Sequence, residues 1–350
     1  MALRCVWSYL LCVVKGNDLA QSQQIALAWF SFAGQFYYRD GILRKGAGSL
    51  EEALARGEVQ SEAVAWSLGY APLDAFSFGF QGSFRTSPSA SGAFNINSGT
   101  PGQNSTSLHF HDDSFLARIT CDSTEIVIDG KRRSGNDARE GSDGSDTTVV
   151  PGLSAFRGRS IDFKGRIKVK GRSRDISGVA YFQQVRSHIP LLPWDWCYCV
   201  LPDGSIAGIS TLRIGRNLIA SERRVRFDGI SFFDLSIFSR GFFMDGRTGR
   251  LFRMTRSKVV KSTIEGEQCA KLILANDGIS CQMEIDLKIE DAHRFKFSRT
   301  TLPFFNLGFH YQSSIGTIKE FSFKNQCNEE DNRLFHTGIF NLELTYGFMP

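Results

Sequence analysis

The sequence predicts an all-β fold: two lipocalin-like antiparallel β-barrels packed together, with a short helical element near the N-terminus. Three observations predict it. The chain has 30 Phe against 5 Met, and aromatic side chains suit the pleated, half-buried surface of a sheet. Apolar and polar residues alternate with period two in many short stretches. The dipeptide Asp-Gly, which supplies the positive φ of tight hairpin turns, starts at Asp40, Asp129, Asp143, Asp203, Asp228, Asp245 and Asp277. With 350 residues the chain is longer than one hydrophobic core usually serves. The expected division is an N-terminal barrel-like domain over 1–188 and a C-terminal one over 189–350.

Alternation is clearest from Ser160 to Lys170. There Ile161, Phe163, Ile167 and Val169 interleave with Asp162, Lys164, Arg166 and Lys168, giving one buried and one wet face. Phe115, Ala117, Ile119 and Cys121 share a face, as do Ile285, Leu287 and Ile289, and Phe321 and Phe323 flank Ser322. Val225 and Phe227 alternate with arginines in the same way. One helix is marked by Ser49 and Glu52 at capping-box spacing, with Leu50, Ala53 and Leu54 as its apolar side. A second helix is expected over Leu19 to Phe30. Two stretches read as loops, Ser87 to Ser107 and the charged, Gly-rich Asp129 to Thr148, which includes Lys131, Arg132 and Arg133. The apolar run Cys5 to Val14 is too short to span a bilayer as a helix and reads as a core element.

Composition removes several functions. A net charge of +5, from 41 basic and 36 acidic residues, is too mild to imply nucleic acid, and no nucleic-acid motif is present. There is no glycine-rich phosphate loop after a strand, no βαβ alternation, and no G-x-S-x-G or H-E-x-x-H motif. The eight Cys are scattered, and most read as buried thiols, which suits a reducing compartment. The expected location is therefore the cytoplasm, with a signal peptide over residues 1–20 as the alternative. His109 and His111 would face one way on a strand, but two His do not make a metal site; no metal and no cofactor are expected.

The segment Gly178 to Gly215 stands apart. Tyr181 and Gln183 share one strand face and offer hydrogen bonds. Pro190 and Pro193 bracket two leucines and lead into Trp194-Asp195-Trp196, then an Asp203-Gly204 turn. On a strand, Trp194 and Trp196 share a face and Asp195 points the other way. This outline of Gly178, Tyr181, Trp194, Asp195, Trp196, Asp203 and Gly204 resembles the lipocalin-like family that includes hydroxyneurosporene synthase (carotenoid 1,2-hydratase) and AttH-like proteins. The resemblance implies two lipocalin-like barrels in one chain. Hydratase or cyclase members of that family place acidic and His residues after the Tyr or Trp; here Phe182, Gln183, Gln184 and Val185 follow.

The functional expectation is that an apolar small molecule, such as an isoprenoid, is bound or converted in a β-barrel cavity. Conversion would be of the lyase, hydratase or isomerase class. His188 and Asp195 are the candidate catalytic groups, and Tyr181, Gln183, Trp194 and Trp196 the candidate ligand contacts. The alternative is a non-catalytic β-sandwich module for glycan or protein, whose sign would be an exposed aromatic patch around the Trp pair.

Overall fold

The computed structural model describes residues 2–15, 23–39, 42–56, 59–69, 77–84, 94–99, 105–111, 114–121, 123–132, 147–188, 192–214, 235–302 and 305–348. Its elements are, in order, β1 (Cys5–Val14), β2 (Gln23–Phe32), β3 (Gly34–Arg39), β4 (Ile42–Gly48), α1 (Leu50–Ala55), β5 (Val59–Gly69), β6 (Ser77–Phe84), β7 (Phe94–Gly99), β8 (Ser105–His111), β9 (Ser114–Cys121), β10 (Thr124–Arg132), β11 (Thr147–Val150), β12 (Leu153–Val169) and β13 (Arg172–Ser187). There follow β14 (Trp194–Val200), β15 (Ile206–Ile214), β16 (Leu235–Met244), β17 (Leu251–Met254), β18 (Arg256–Ile264), β19 (Glu267–Asn276), β20 (Cys281–Leu302), β21 (Phe305–Asn325), β22 (Arg333–Phe335) and β23 (Ile339–Phe348).

The fold is nearly all β, in two curled antiparallel half-barrel sheets. Two compact units carry them, one of residues 1–37 and 44–191, the other of residues 38–43 and 192–350. In the N-terminal unit the strand order is β6-β5-β2-β1-β13-β12-β10-β9-β8-β7, with β11 on β12. In the C-terminal unit it is β17-β16-β15-β14-β23-β21-β20-β19-β18. Among the described residues no helix is long and apolar enough to cross a membrane.

Each sheet has an inner face that carries one continuous core. In the N-terminal unit, alternate residues of neighbouring strands supply it: Val6, Leu10 and Cys12 from β1, Ile25, Leu27 and Trp29 from β2, Ala180 and Phe182 from β13. The half-buried strands match their sequence pattern: Ile161, Phe163 and Ile167 of β12 are buried, while Asp162, Lys164, Arg166 and Lys168 are exposed. The helix forms where its cap predicts it. The Glu52 N–H donates to Ser49 Oγ at 3.3 Å, and Leu50 and Ala53 join the inner core of the N-terminal unit. Glu51 Oε1 accepts from the Leu3 N–H at 2.8 Å, tying the helix to the start of β1.

Four local expectations are corrected. The helix expected over Leu19 to Phe30 is strand β2 over its described part. Ile25 to Phe30 is buried along its whole length, so both faces are apolar and no period separates strand from helix. The loop expected over Ser87 to Ser107 contains β7 and the start of β8. The first residues of the second expected loop, Asp129 to Arg132, belong to β10. The Asp129-Gly130 dipeptide is therefore no turn; Gly130 sits mid-strand because a Cβ there would lie 2.1 Å from the Phe115 ring. Asp203-Gly204 does form a turn, with Gly204 at φ 83. Asp40, Asp143 and Asp228, like Val225 and Phe227, lie outside the described residues.

Gly178 shows how tightly the N-terminal sheet is built. A Cβ at this position of β13 would fall 1.9 Å from the Val13 carbonyl oxygen of β1. Backbone cannot yield as a flexible side chain can, so Gly178→Ala is expected to lose about 1–3 kcal/mol. Urea unfolding of the full chain measures it, and an unchanged midpoint would show that β1 and β13 have slack between them.

Candidate functional site

The Asp203-Gly204 turn joins β14 to β15 and fixes their register, which sets Thr211 directly opposite Asp195. Asp195 shares the inner face of the C-terminal sheet with Cys197 and Cys199, which belong to the inner core there. It is completely buried. Arg213 Nε donates to Asp195 Oδ2 at 2.7 Å, and Lys261 Nζ of β18 stands 3.9 Å from Oδ1. Both cations are almost fully buried, at 11% and 9% side-chain exposure. Both cations are thus paired with the one carboxylate.

Hydroxyl groups surround this triad. Thr211 Oγ1 lies 3.1 Å from Ser257 Oγ of β18, and Ser257 is also hydrogen-bonded to Ser239 of β16. Strands β16 and β18 stand near opposite ends of the sheet's strand order, so these contacts run across the curl. Much of the inner face is apolar, although Gln312 and Ser314 of β21 also stand on it. Phe243, Phe252, Phe321 and Phe323 stack there, with the Phe243 and Phe323 centroids 4.6 Å apart. The C-terminal unit thus has an aromatic core and, on the same face, a buried charged and hydroxylated end.

The Trp pair lies on the opposite face of β14. Trp196 is buried and stacks on Tyr198 at 6.1 Å. Trp194 is half-buried against Tyr311 at 6.2 Å, and its indole Nε1 donates to Glu343 at 3.4 Å. The open aromatic patch that a glycan- or protein-binding surface would need is not formed by these two rings.

Tyr181 and Gln183 are joined to each other, Tyr181 Oη donating to Gln183 Oε1 at 2.5 Å. They occupy the outer face of β13, whereas Phe182 and Gln184 take the inner face. His188 follows β13, half-buried, its backbone N–H donating to Gly152 O at 2.7 Å. His109 is exposed on β8, and the His111 side chain lies outside the described residues. On β14, then, Asp195 and the two Trp look in opposite directions, and the buried partners of Asp195 are Arg213 and Lys261. Sequence reasoning missed both. Arg213 was within reach of it: Ala207, Ile209, Thr211 and Arg213 share a face of β15, and the turn places that face beside Asp195. Lys261 carries no such signal, because Ser257, Val259, Lys261 and Thr263 mix polar and apolar residues on one face.

No protein-family model and no curated protein sequence matches this chain. Solved structures do. A candidate AttH of Nitrosomonas europaea superposes with a TM-score of 0.53 at 13% identity, over 97% of this chain and 92% of that one. Kievitone hydratase of Nectria haematococca superposes with a TM-score of 0.51 at 12% identity, over 97% of this chain and 88% of that one. At such identities the likeness is one of fold, and it extends over nearly the whole chain. This protein has the two-sheet lipocalin-like fold shared by AttH- and hydroxyneurosporene-synthase-like proteins.

Proposed function

We propose that the chain is a hydratase-type protein for an apolar small molecule, which it holds against the inner face of the C-terminal sheet with its reactive end at Asp195. The observation that carries this reading is the buried carboxylate paired with Arg213 and Lys261 on the face that also carries an aromatic core. The fold likeness to kievitone hydratase supports it.

The same geometry narrows the chemistry. Protonating an isolated double bond needs a strong acid, and an ion-paired carboxylate has no proton to give. The cluster suits a double bond conjugated to a carbonyl. Asp195 takes a proton from water as the water oxygen bonds to the β-carbon, and the π electrons move onto the carbonyl oxygen. The positive field of Arg213 and Lys261 stabilises that oxyanion. The carboxylic acid so formed then returns its proton to the α-carbon, and water has been added overall.

The test is incubation with a panel of apolar enones in ¹⁸O-water, read by mass spectrometry, beside native mass spectrometry of the purified protein for retained ligand. The wild type is expected to yield an ¹⁸O-labelled adduct. Asp195→Asn, checked for folding, is expected to be slower by about a hundredfold or more, the usual worth of a positioned base. No adduct above the enzyme-free control, together with no retained apolar ligand, would end this reading.

A further inference from the structure

The N-terminal unit contains a second polar layer on its inner face. Ser8 of β1 is paired directly with Trp29 of β2 on one side and with Gln184 of β13 on the other. All three are at least 95% buried. Gln184 Nε2 donates to Ser8 Oγ at 3.1 Å, and Arg186 Nη2 donates to Gln184 Oε1 at 3.3 Å. The guanidinium fixes the amide orientation, since the reverse would set NH₂ against N–H donors. The acceptors of the layer are thereby engaged, and its donors are left over. The buried Trp29 Nε1 and Arg186 Nε have no hydrogen-bond partner, and the Ser8 hydroxyl, already an acceptor, still has its proton to give. Among the described residues no carboxylate pairs with Arg186.

A buried donor without a partner costs about 1–3 kcal/mol, and here there are two, one of them on a guanidinium that no carboxylate among the described residues pairs with. On one side of the layer Leu10, Leu27 and Phe182 form the next row of the inner face. Leu50 and Ala53 of helix α1 join the same core.

We infer that this layer is a binding site, separate from the Asp195 cluster, for the carboxylate of an apolar acid. The carboxylate takes the free donors of Trp29, Ser8 and Arg186, and its hydrocarbon tail runs along the row of Leu10, Leu27 and Phe182. A single guanidinium balances a single negative charge. A phosphate dianion would bury a second charge without a partner, at a cost of several kcal/mol, so a monocarboxylate is the fitting head group.

The probes are dodecanoate, dodecanol and acetate, titrated into the full-length protein by calorimetry. Dodecanoate is expected to bind at least about tenfold more tightly than dodecanol, and acetate not measurably. Arg186→Gln should weaken dodecanoate roughly tenfold to a hundredfold, the worth of a charge-assisted hydrogen bond. Trp29→Phe, which keeps a ring and removes the N–H, should weaken it about tenfold. Both variants should bind dodecanol as the wild type does, which also reports that they are folded. Asp195→Asn should leave dodecanoate affinity unchanged, so that this site and the hydratase reading fail or stand separately. Equal affinity for acid and alcohol, no binding of either, or variants that bind dodecanoate like the wild type would overturn the inference.

Discussion

Asp195→Ala is expected to lose about 3–5 kcal/mol of stability, the usual cost of removing one partner from a buried ion pair. The loss does not equal the attraction of the pair. Most of it comes from depriving Arg213 and Lys261, with 11% and 9% exposure, of the carboxylate that pairs with both. Two comparisons isolate that cause. Asp195→Asn keeps an acceptor for Arg213 Nε and should cost less than the alanine. Replacing all three charges with apolar residues of similar volume should recover much of the loss, because burying an ion pair is itself expensive. Urea unfolding of the full chain measures each variant. If the triple variant is no more stable than Asp195→Ala, packing rather than charge accounts for the effect. If it is more stable than the wild type, the triad is kept at a cost to folding, as the proposed chemistry would require.

The parts of this architecture that could be read from the chain are those with one wet face. In β9 and β12 the alternation of apolar and polar residues prints the inner face directly, and the structure buries the residues so identified. The capping spacing of Ser49 and Glu52 located the helix for an equally local reason. Strands β1, β2 and β14 are buried on both faces or nearly so, and alternation then carries no contrast. That is why β2 read as a helix, and why Gln183 rather than Gln184 looked like the cavity residue of β13. It is also why Ser8 and Trp29 drew no notice. Phe110 and Phe182, 5.2 Å apart in the same inner core, come together only through a register spanning several strands. Lys261 reaches Asp195 from 66 positions away because the sheet curls, and no local pattern encodes a curl.

Arg333→Met carries the second large expected effect. A set of turns at one end of the C-terminal sheet is tied together by polar contacts. Asp245, fully buried, accepts from the Arg247 N–H at 2.9 Å through Oδ1 and is ion-paired with the nearly buried Arg333 through Oδ2. Arg333 also donates to the carbonyls of Glu330 and Asn332 at 2.6 and 2.8 Å. Asp331 accepts from Arg250 at 2.7 Å and from Asn325 at 2.8 Å. Removing the guanidinium strands the Asp245 carboxylate, and about 3–5 kcal/mol should be lost at neutral pH. The pH dependence identifies the charge as the cause. Burial pushes the Asp245 carboxyl up, but the Arg247 N–H and Arg333 outweigh it and hold the group below the usual carboxylate range. In the wild type its contribution is complete above the unfolded value of about 3.9 and is lost as pH falls through the lower folded value. In Arg333→Met burial is left without its main counterweight, and protonation then relieves the variant. The stability gap should therefore be widest near neutrality and narrow below about pH 4. A gap that stays constant between pH 7 and pH 3 would show that Arg333 acts through packing and its carbonyl contacts rather than through its charge on Asp245.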